Sequence, residues 1–328
     1  MRSSIAAMLA ATATFAVSAC GGGSSGGGVG VQSTPVPPTA PTPAAAPVTI
    51  FASPAPGEYA SIGASIAGPG GNLDTYQSST DRFGPVSTSQ ADQAHVRYTT
   101  GGYYEVKLAG ADWDRLVPHK GMVTSDPNNN YFQPAGVPQN YAYLVTRNSR
   151  TQGYSFSELG AWGSEAQGRW GYTAFGAATS PNGVPTSGSA TFSGVVSGST
   201  DAMSADNLYG GYTPIPTDGF VTLNFDFTAG SLNGRLDLFL PDGMNPIPLD
   251  SFAFTQTVFS PGSTSYSGRF DSPETGQNFF LGQFTGPNAQ ETIGAWAVPF
   301  RFDQQGGFIH GDGQVHQAFG AWVAKRGN

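Results

Sequence analysis

Between Val221 and Thr228 the chain alternates without a break, with Val221, Leu223, Phe225 and Phe227 on one parity and Thr222, Asn224, Asp226 and Thr228 on the other. A period of two assigns each set to its own face of a β-strand, so this stretch has one dry face and one wet face. Ala229-Gly230-Ser231 then turns the chain. Leu232, Leu236, Leu238 and Leu240 continue the dry face on a partner strand that turns Asn233, Arg235 and Asp237 to the other side. The spacing predicts an antiparallel hairpin.

Further strands are expected at Ser155 to Trp162, Trp170 to Gly176, Ser189 to Val196, Phe252 to Phe259, Gln277 to Thr285, Thr292 to Phe302 and Gln314 to Ala324, with no helical pattern between them. Eight or nine antiparallel strands in residues 151–328 close most simply into a barrel, which hides sheet edges and fills its interior with side chains. A membrane barrel shows the same alternation with the sense inverted, so periodicity alone does not separate the two. The lack of paired aromatic girdles, with the lipid anchor and spacer described below, favours a soluble barrel. Residues 48–150 carry shorter strand patterns, such as Val96 to Tyr98 and Tyr103 to Leu108, between Gly- and Pro-rich turns. They read as a small, loop-rich β domain. The expected fold is therefore all-β: an eight-stranded antiparallel soluble β-barrel preceded by a small β-rich domain. Gly-Ala-Trp recurs at Gly160, Gly294 and Gly320. Gly and Trp two residues apart share a strand face, and the glycine leaves room for an indole.

Charged residues make up only 11% of the chain, which disfavours long exposed helices and agrees with short strands joined by tight turns. The formal net charge of −8 argues against a nucleic-acid partner. Cys20 is the only cysteine. It stands at the end of Val17-Ser18-Ala19-Cys20, after Arg2 and an apolar run from Ile5 to Val17. That pattern predicts an export signal over residues 1–19, too short to span a bilayer. The tetrad resembles the bacterial lipoprotein lipobox, with Val17 in place of the commoner Leu. The resemblance implies a mature chain that starts at acylated Cys20 and is held in the bilayer by its acyl chains. Gly21 rather than Asp after the cysteine implies, by the sorting pattern of such lipoproteins, the outer membrane. Residues 20–47 form a linker, Gly/Ser-rich to Gly30 and Pro/Ala-rich from Thr34 to Pro47. It is expected to hold the folded body roughly 50 Å from the lipid. With Cys20 lipidated, neither a disulfide nor a cysteine metal site is expected.

Gly286-Pro287-Asn288-Ala289-Gln290-Glu291, followed by Gly294 and Trp296, resembles the Gly-Pro-x-Ala-x-Glu hairpin segment of the transferrin-binding-protein-B-like lipoproteins. Phe175-Gly176 through Thr179, Pro185 and Ser187-Gly188 to Ala190-Thr191-Phe192-Ser193-Gly194 is similar to an early barrel strand of that family. Phe319-Gly320-Ala321 with Ala324-Lys325-Arg326 is similar to its terminus. The resemblance covers about Gly153 to Arg326 and implies an eight-stranded barrel with a β handle. It also implies display on the cell surface by a dedicated outer-membrane translocon, and capture of a protein or of a small nutrient such as haem. Two departures stand out: Ile293 replaces a frequent second glycine, and the chain has room for one handle-and-barrel lobe where transferrin receptors carry two. Physically, Pro287 presets a turn and Gly286 permits a bend, while Glu291 is placed to accept main-chain N–H bonds there. Its alternative role is ligand contact.

Catalytic chemistry has little to draw on: four histidines, six glutamates, no Gly-x-Ser-x-Gly elbow outside the Gly/Ser linker and no His-Glu-x-x-His motif. The chain is expected not to be an enzyme. His310, Asp312 and His316 share a strand parity that suggests a two-His, one-carboxylate metal site. Six residues of straight strand separate the imidazoles by roughly 20 Å, too far for one ion, unless Gly311-Asp312-Gly313 turns the chain. Asp126, Asn128 and Asn130 begin like an EF-hand loop, but Tyr131 and Val137 stand where its Gly and Glu belong. No metal is therefore expected, and no residue argues specifically for haem. For a ligand, Tyr209 and Tyr212 in Leu208-Tyr209-Gly210-Gly211-Tyr212-Thr213-Pro214 are the candidate contacts, since tyrosines on a Gly/Pro-framed loop give large contact area at low entropic cost. A covering loop packed on the barrel is the alternative. The expected function is an outer-membrane or cell-surface lipoprotein that binds a nutrient or protein ligand, with a translocon or a TonB-dependent receptor as partner. A masking, structural or adhesive role toward a host or envelope protein is the competing reading.

Overall fold

The computed structural model describes residues 53–68, 83–118, 130–138, 142–147, 152–204, 213–241, 246–303 and 311–327. Cys20 and the linker, Asp126, Asn128, Tyr209, Tyr212 and His310 lie outside the described residues. Every described residue falls in one compact unit, Ala46–Asn328.

That unit contains two β structures. The first is a nine-stranded sheet of β1 (Gly57–Glu58), β2 (Ala60–Ala67), β3 (Ala94–Tyr98), β4 (Tyr104–Leu108), β5 (Asp114–Pro118), β6 (Asn130–Pro134), β7 (Ala142–Thr146), β8 (Ser157–Ser164) and β9 (Arg169–Gly176). Its order is β1-β3-β4-β5-β6-β7-β8-β9-β2. Only Tyr59 separates β1 from β2, and its amide donates to the Val96 carbonyl at 3.0 Å. One chain segment thus borders both ends of the sheet, which is nearly closed. The second structure is a closed barrel of β10 (Ser189–Ser204), β11 (Thr213–Asp226), β12 (Ser231–Leu240), β13 (Ile247–Val258), β14 (Ser265–Phe270), β15 (Phe279–Thr285), β16 (Glu291–Arg301) and β17 (Val315–Arg326). β10 and β17 close it in register from Phe192↔Arg326 to Thr200↔Ala318.

The expected β11–β12 hairpin forms, with Asp226 opposite Ser231. Val221, Leu223, Phe225 and Phe227 are buried, and the interior is packed with rings: Phe225 lies 4.9 Å from Phe284, 5.0 Å from Tyr266 and 5.5 Å from Phe192. Apolar side chains face inward and Thr222, Asn224 and Asp226 outward, the reverse of a lipid-facing barrel. These rings belong to one core cluster that packs the barrel interior.

Two expectations require correction. Ser155 to Trp162 and Trp170 to Gly176 are strands, but of the first sheet rather than the barrel. β9 pairs with β2 over eight residues, from Ala60↔Gly176 to Ala67↔Arg169, and β8 pairs with β7. β2 lies far upstream of β9 in sequence and β7 falls before residue 151, so strand periodicity carried no sign of either pairing, and the first sheet runs on past residue 150. The second correction concerns Gly-Ala-Trp. Gly294 stands opposite Trp322 and Gly320 opposite Trp296 on the β16–β17 ladder. A Cβ on Gly294 would lie 2.3 Å from the Trp322 indole, and one on Gly320 2.8 Å from that of Trp296. Each glycine makes room for the neighbouring strand's indole, not its own. At Gly160 the tight neighbour is the Val145 carbonyl, at 2.8 Å.

β16 is buried on both faces from Glu291 to Phe300. Trp296, Val298 and Phe300 enter the barrel core. Ala295 and Ala297 pack with Ala64, Ile66 and Phe319, and Ile293 packs with Tyr154, Leu159 and Ala174 of the first sheet. Alanines on this second face let the two β structures approach closely, so β16 and β17 form a wall common to both. A strand buried on both sides reads as a continuous apolar run, as this one does.

Candidate functional site

The segment 286–291 fastens the two β structures together. Gly286 has φ 81° and Ala289 φ 52°, both left-handed. The Gly286 amide donates to Ala177 O at 2.8 Å and its carbonyl accepts the Thr179 hydroxyl at 2.6 Å. Glu291, 4% exposed, accepts the Ser155 amide at 2.7 Å and the Phe156 amide at 3.0 Å, just where the chain enters β8. Burial pushes its carboxyl above the usual range, and the two amides, Ser157 and Lys325 pull against that shift. The amides it satisfies come from a segment more than a hundred residues earlier, not from its own bend. Gly294 serves the indole of Trp322, as described above.

A cleft of about 800 Å³ opens between the first sheet and the barrel. One wall is built from the β1–β2 segment and the stretch around Thr88, Gln90 and His95; the other comes from the end of β13, the loop after it, β14 and β15. Ser61, Thr88, Ser260, Ser263, Ser265 and Ser267 line it with hydroxyls, and Ile62, Val258 and Leu281 supply apolar surface. His95 and Glu58 form a polar pair at its edge, with Nδ1 to Oε1 at 3.1 Å, while His95 Nε2 lies 2.7 Å from Gln90 O.

Val258 is 65% exposed at this cleft because of a local backbone irregularity. Phe252 and Phe254 point into the barrel, and an unbroken alternation would send Val258 inward as well. Gln256 instead adopts φ 46°, and the register to β14 slips between Thr255 and Val258. This β-bulge reverses the parity, so that Phe259 enters the core and Val258 faces out. The cleft is not legible in the sequence because its walls are joined only by tertiary structure. One signal was available: the aromatics Phe254 and Phe259 lie at an odd offset, where a strict alternation keeps one face at even offsets.

Asp312, of the suspected metal triad, does meet His316. Gly313 has φ 71° and the Gln314 amide donates to Asp312 Oδ1 at 2.9 Å, a tight turn that brings the carboxylate to 3.1 Å from His316 Nε2. The opposite nitrogen, Nδ1, lies 2.9 Å from Asp201 Oδ1 on β10. Both ring nitrogens are engaged by carboxylates on opposite sides, which is an ion-pair geometry. No three metal-ligating side chains converge among the described residues. Asn130 is exposed at the start of β6.

No family model matches the chain, and no curated protein matches it in sequence. Solved structures do. A transferrin-binding protein B (TbpB) double mutant from Haemophilus parasuis Hp5 is similar at 14% identity and a TM-score of 0.43, over 81% of this chain and 44% of that one. TbpB from serogroup B Neisseria meningitidis is similar at 14% identity and a TM-score of 0.39, over 81% and 43%. HpuA from Kingella denitrificans, in complex with human haemoglobin, is similar at 10% identity and a TM-score of 0.37, over 86% and 91%. This chain spans a little under half the length of those transferrin-binding proteins. Further similar solved structures are an intact TbpB, the apo haemoglobin receptor HpuA from Kingella denitrificans and a surface lipoprotein.

Proposed function

We propose that this chain is an outer-membrane lipoprotein, displayed on the cell surface through acylated Cys20, that captures a nutrient or protein ligand without chemistry in the cleft between its handle sheet and its barrel. The observation that carries the reading is the cleft itself: about 800 Å³ of hydroxyl-lined space with Val258 turned outward into it, beside a barrel whose own interior is filled. The lipobox-like Val17-Ser18-Ala19-Cys20, a signal over residues 1–19 and a spacer over 20–47 support the anchored, extended placement. The family resemblance of Gly286 to Glu291 supports display through a translocon or alongside a TonB-dependent receptor. The loop bearing Tyr209 and Tyr212 is proposed as a second ligand contact.

The test uses the mature lipoprotein in detergent, with human transferrin and haemin as probes, and protease shaving of intact cells to establish exposure. Binding of either probe, weakened at least about tenfold by Val258→Asp with an unchanged Tm, is the expected outcome. Shaving without binding of either probe would remove capture of these ligands and favour the masking or adhesive reading. Full protection in cells with an intact outer membrane would overturn surface display.

A further inference from the structure

The ladder that closes the barrel stops short of its rim. β10 and β17 pair as far as Thr200↔Ala318, and beyond that point the next residue, Asp201, uses its side chain in place of a backbone partner. Asp201 Oδ1 accepts the Gln317 amide at 2.8 Å and lies 2.9 Å from His316 Nδ1. On the far side of the ring, Nε2 sits 3.1 Å from both oxygens of Asp312, in the turn leading into β17.

An ionised carboxylate only accepts hydrogen bonds, so each of these contacts demands an N–H on the ring. A neutral imidazole has one, and then its lone pair faces a carboxylate. An imidazolium has two and satisfies both. Among the described residues, the other side chains in ring contact with His316 carry no charge. From β16 and the residue just after it come the rings of Phe300 and Phe302, at 6.1 and 5.7 Å. Arg301, on the same strand, is engaged by Glu274 at 3.1 Å and by Gly313 O at 3.0 Å.

We propose that His316 is a proton-dependent clasp at the barrel's closing seam, holding the Asp312 carboxylate toward Asp201 of β10 while doubly protonated and releasing that carboxylate, the acceptor of the Gln314 amide, when it becomes neutral. The main chain of the turn stays tied to Phe302 through Gly313 N and Gln314 O, each at 2.9 Å. Asp201 keeps its hold, because it also binds the Gln317 amide and its side chain is 29% exposed against 52% for Asp312. Burial of the ring opposes its charge, but Asp201 and Asp312 outweigh burial and hold its titration above that of free imidazole. The sign follows. The clasp's contribution is fully present below the ordinary imidazole pKa and is lost as pH rises through the raised one.

Nitrogen-15 NMR of the folded protein tests this at two points, the His316 ring and the Gln314 amide. In the wild type both ring nitrogens should carry protons below the midpoint, and that midpoint should exceed the free-imidazole value. The Gln314 amide should titrate with the same midpoint, its exchange protection falling roughly tenfold on deprotonation. Asp312→Asn, an exposed change, should lower the midpoint and flatten the Gln314 response, and His316→Gln should abolish that response. A ring that is neutral at one nitrogen throughout, a midpoint at or below that of free imidazole, or a Gln314 amide that ignores the His316 titration would overturn the clasp.

Discussion

Gly294 and Trp322 face each other directly across the β16–β17 ladder, and a Cβ on the glycine would sit 2.3 Å from the indole. Trp296 and Gly320 repeat the arrangement two residues along with the roles exchanged. The wall common to barrel and handle therefore has two indoles filling the barrel side, each over the neighbouring strand's glycine.

Gly294→Ala is expected to cost about 1–3 kcal/mol, since the buried indole has nowhere to move. Urea unfolding followed by tryptophan fluorescence measures it. In combination with Trp322→Leu the loss should be clearly less than the sum of the two single changes. Strict additivity would show that the two side chains do not compete for space.

Glu291→Ala leaves the Ser155 and Phe156 amides without their acceptor and is expected to destabilise by about 1–3 kcal/mol per buried amide. Glu291→Gln, which retains one acceptor oxygen, should fall between Ala and the wild type. Because burial raises this carboxyl's pKa in the folded state, the folded protein binds the proton more readily than the unfolded chain. Wild-type stability should then decline as pH rises from the ordinary carboxylate value through the raised one. A pH series of urea midpoints in which the Gln variant keeps the same decline would assign the slope to another group.

Gln256 occupies a left-handed conformation that a side chain pays for and glycine does not. Gln256→Gly should be neutral or stabilising by up to about 1 kcal/mol, whereas Gln256→Val should destabilise by about 1–2 kcal/mol. Equal effects of the two in thermal unfolding would mean that the bulge does not hold this conformation in solution.

Cys20→Ser is expected to abolish acylation and to move the protein from the membrane fraction to a released or mislocalised pool. Metabolic labelling with a fatty-acid analogue and fractionation measure both effects, and an unchanged membrane fraction would remove the anchor.

The sequence by itself determined the all-β class and the β11–β12 hairpin, because a strict period of two in Val221 to Phe227 splits the strand into one apolar and one polar face; that the apolar face points inward was decided by the packing. It also singled out Gly286 to Glu291 as a bend with a carboxylate suited to main-chain amides. Tertiary structure decided the rest, for physical reasons that can be named. Strand patterning shows that a segment is a strand but not which strand it pairs with, so β8 and β9 read as barrel strands until their pairing with β7 and β2 was seen. The amides held by Glu291 and the indoles housed by Gly294 and Gly320 lie on other strands, where local spacing cannot find them. The cleft has walls from two β structures, and its outward Val258 depends on one left-handed residue that breaks the alternation. Periodicity reports a strand's own two faces, and the candidate site is made where faces and edges of different strands meet.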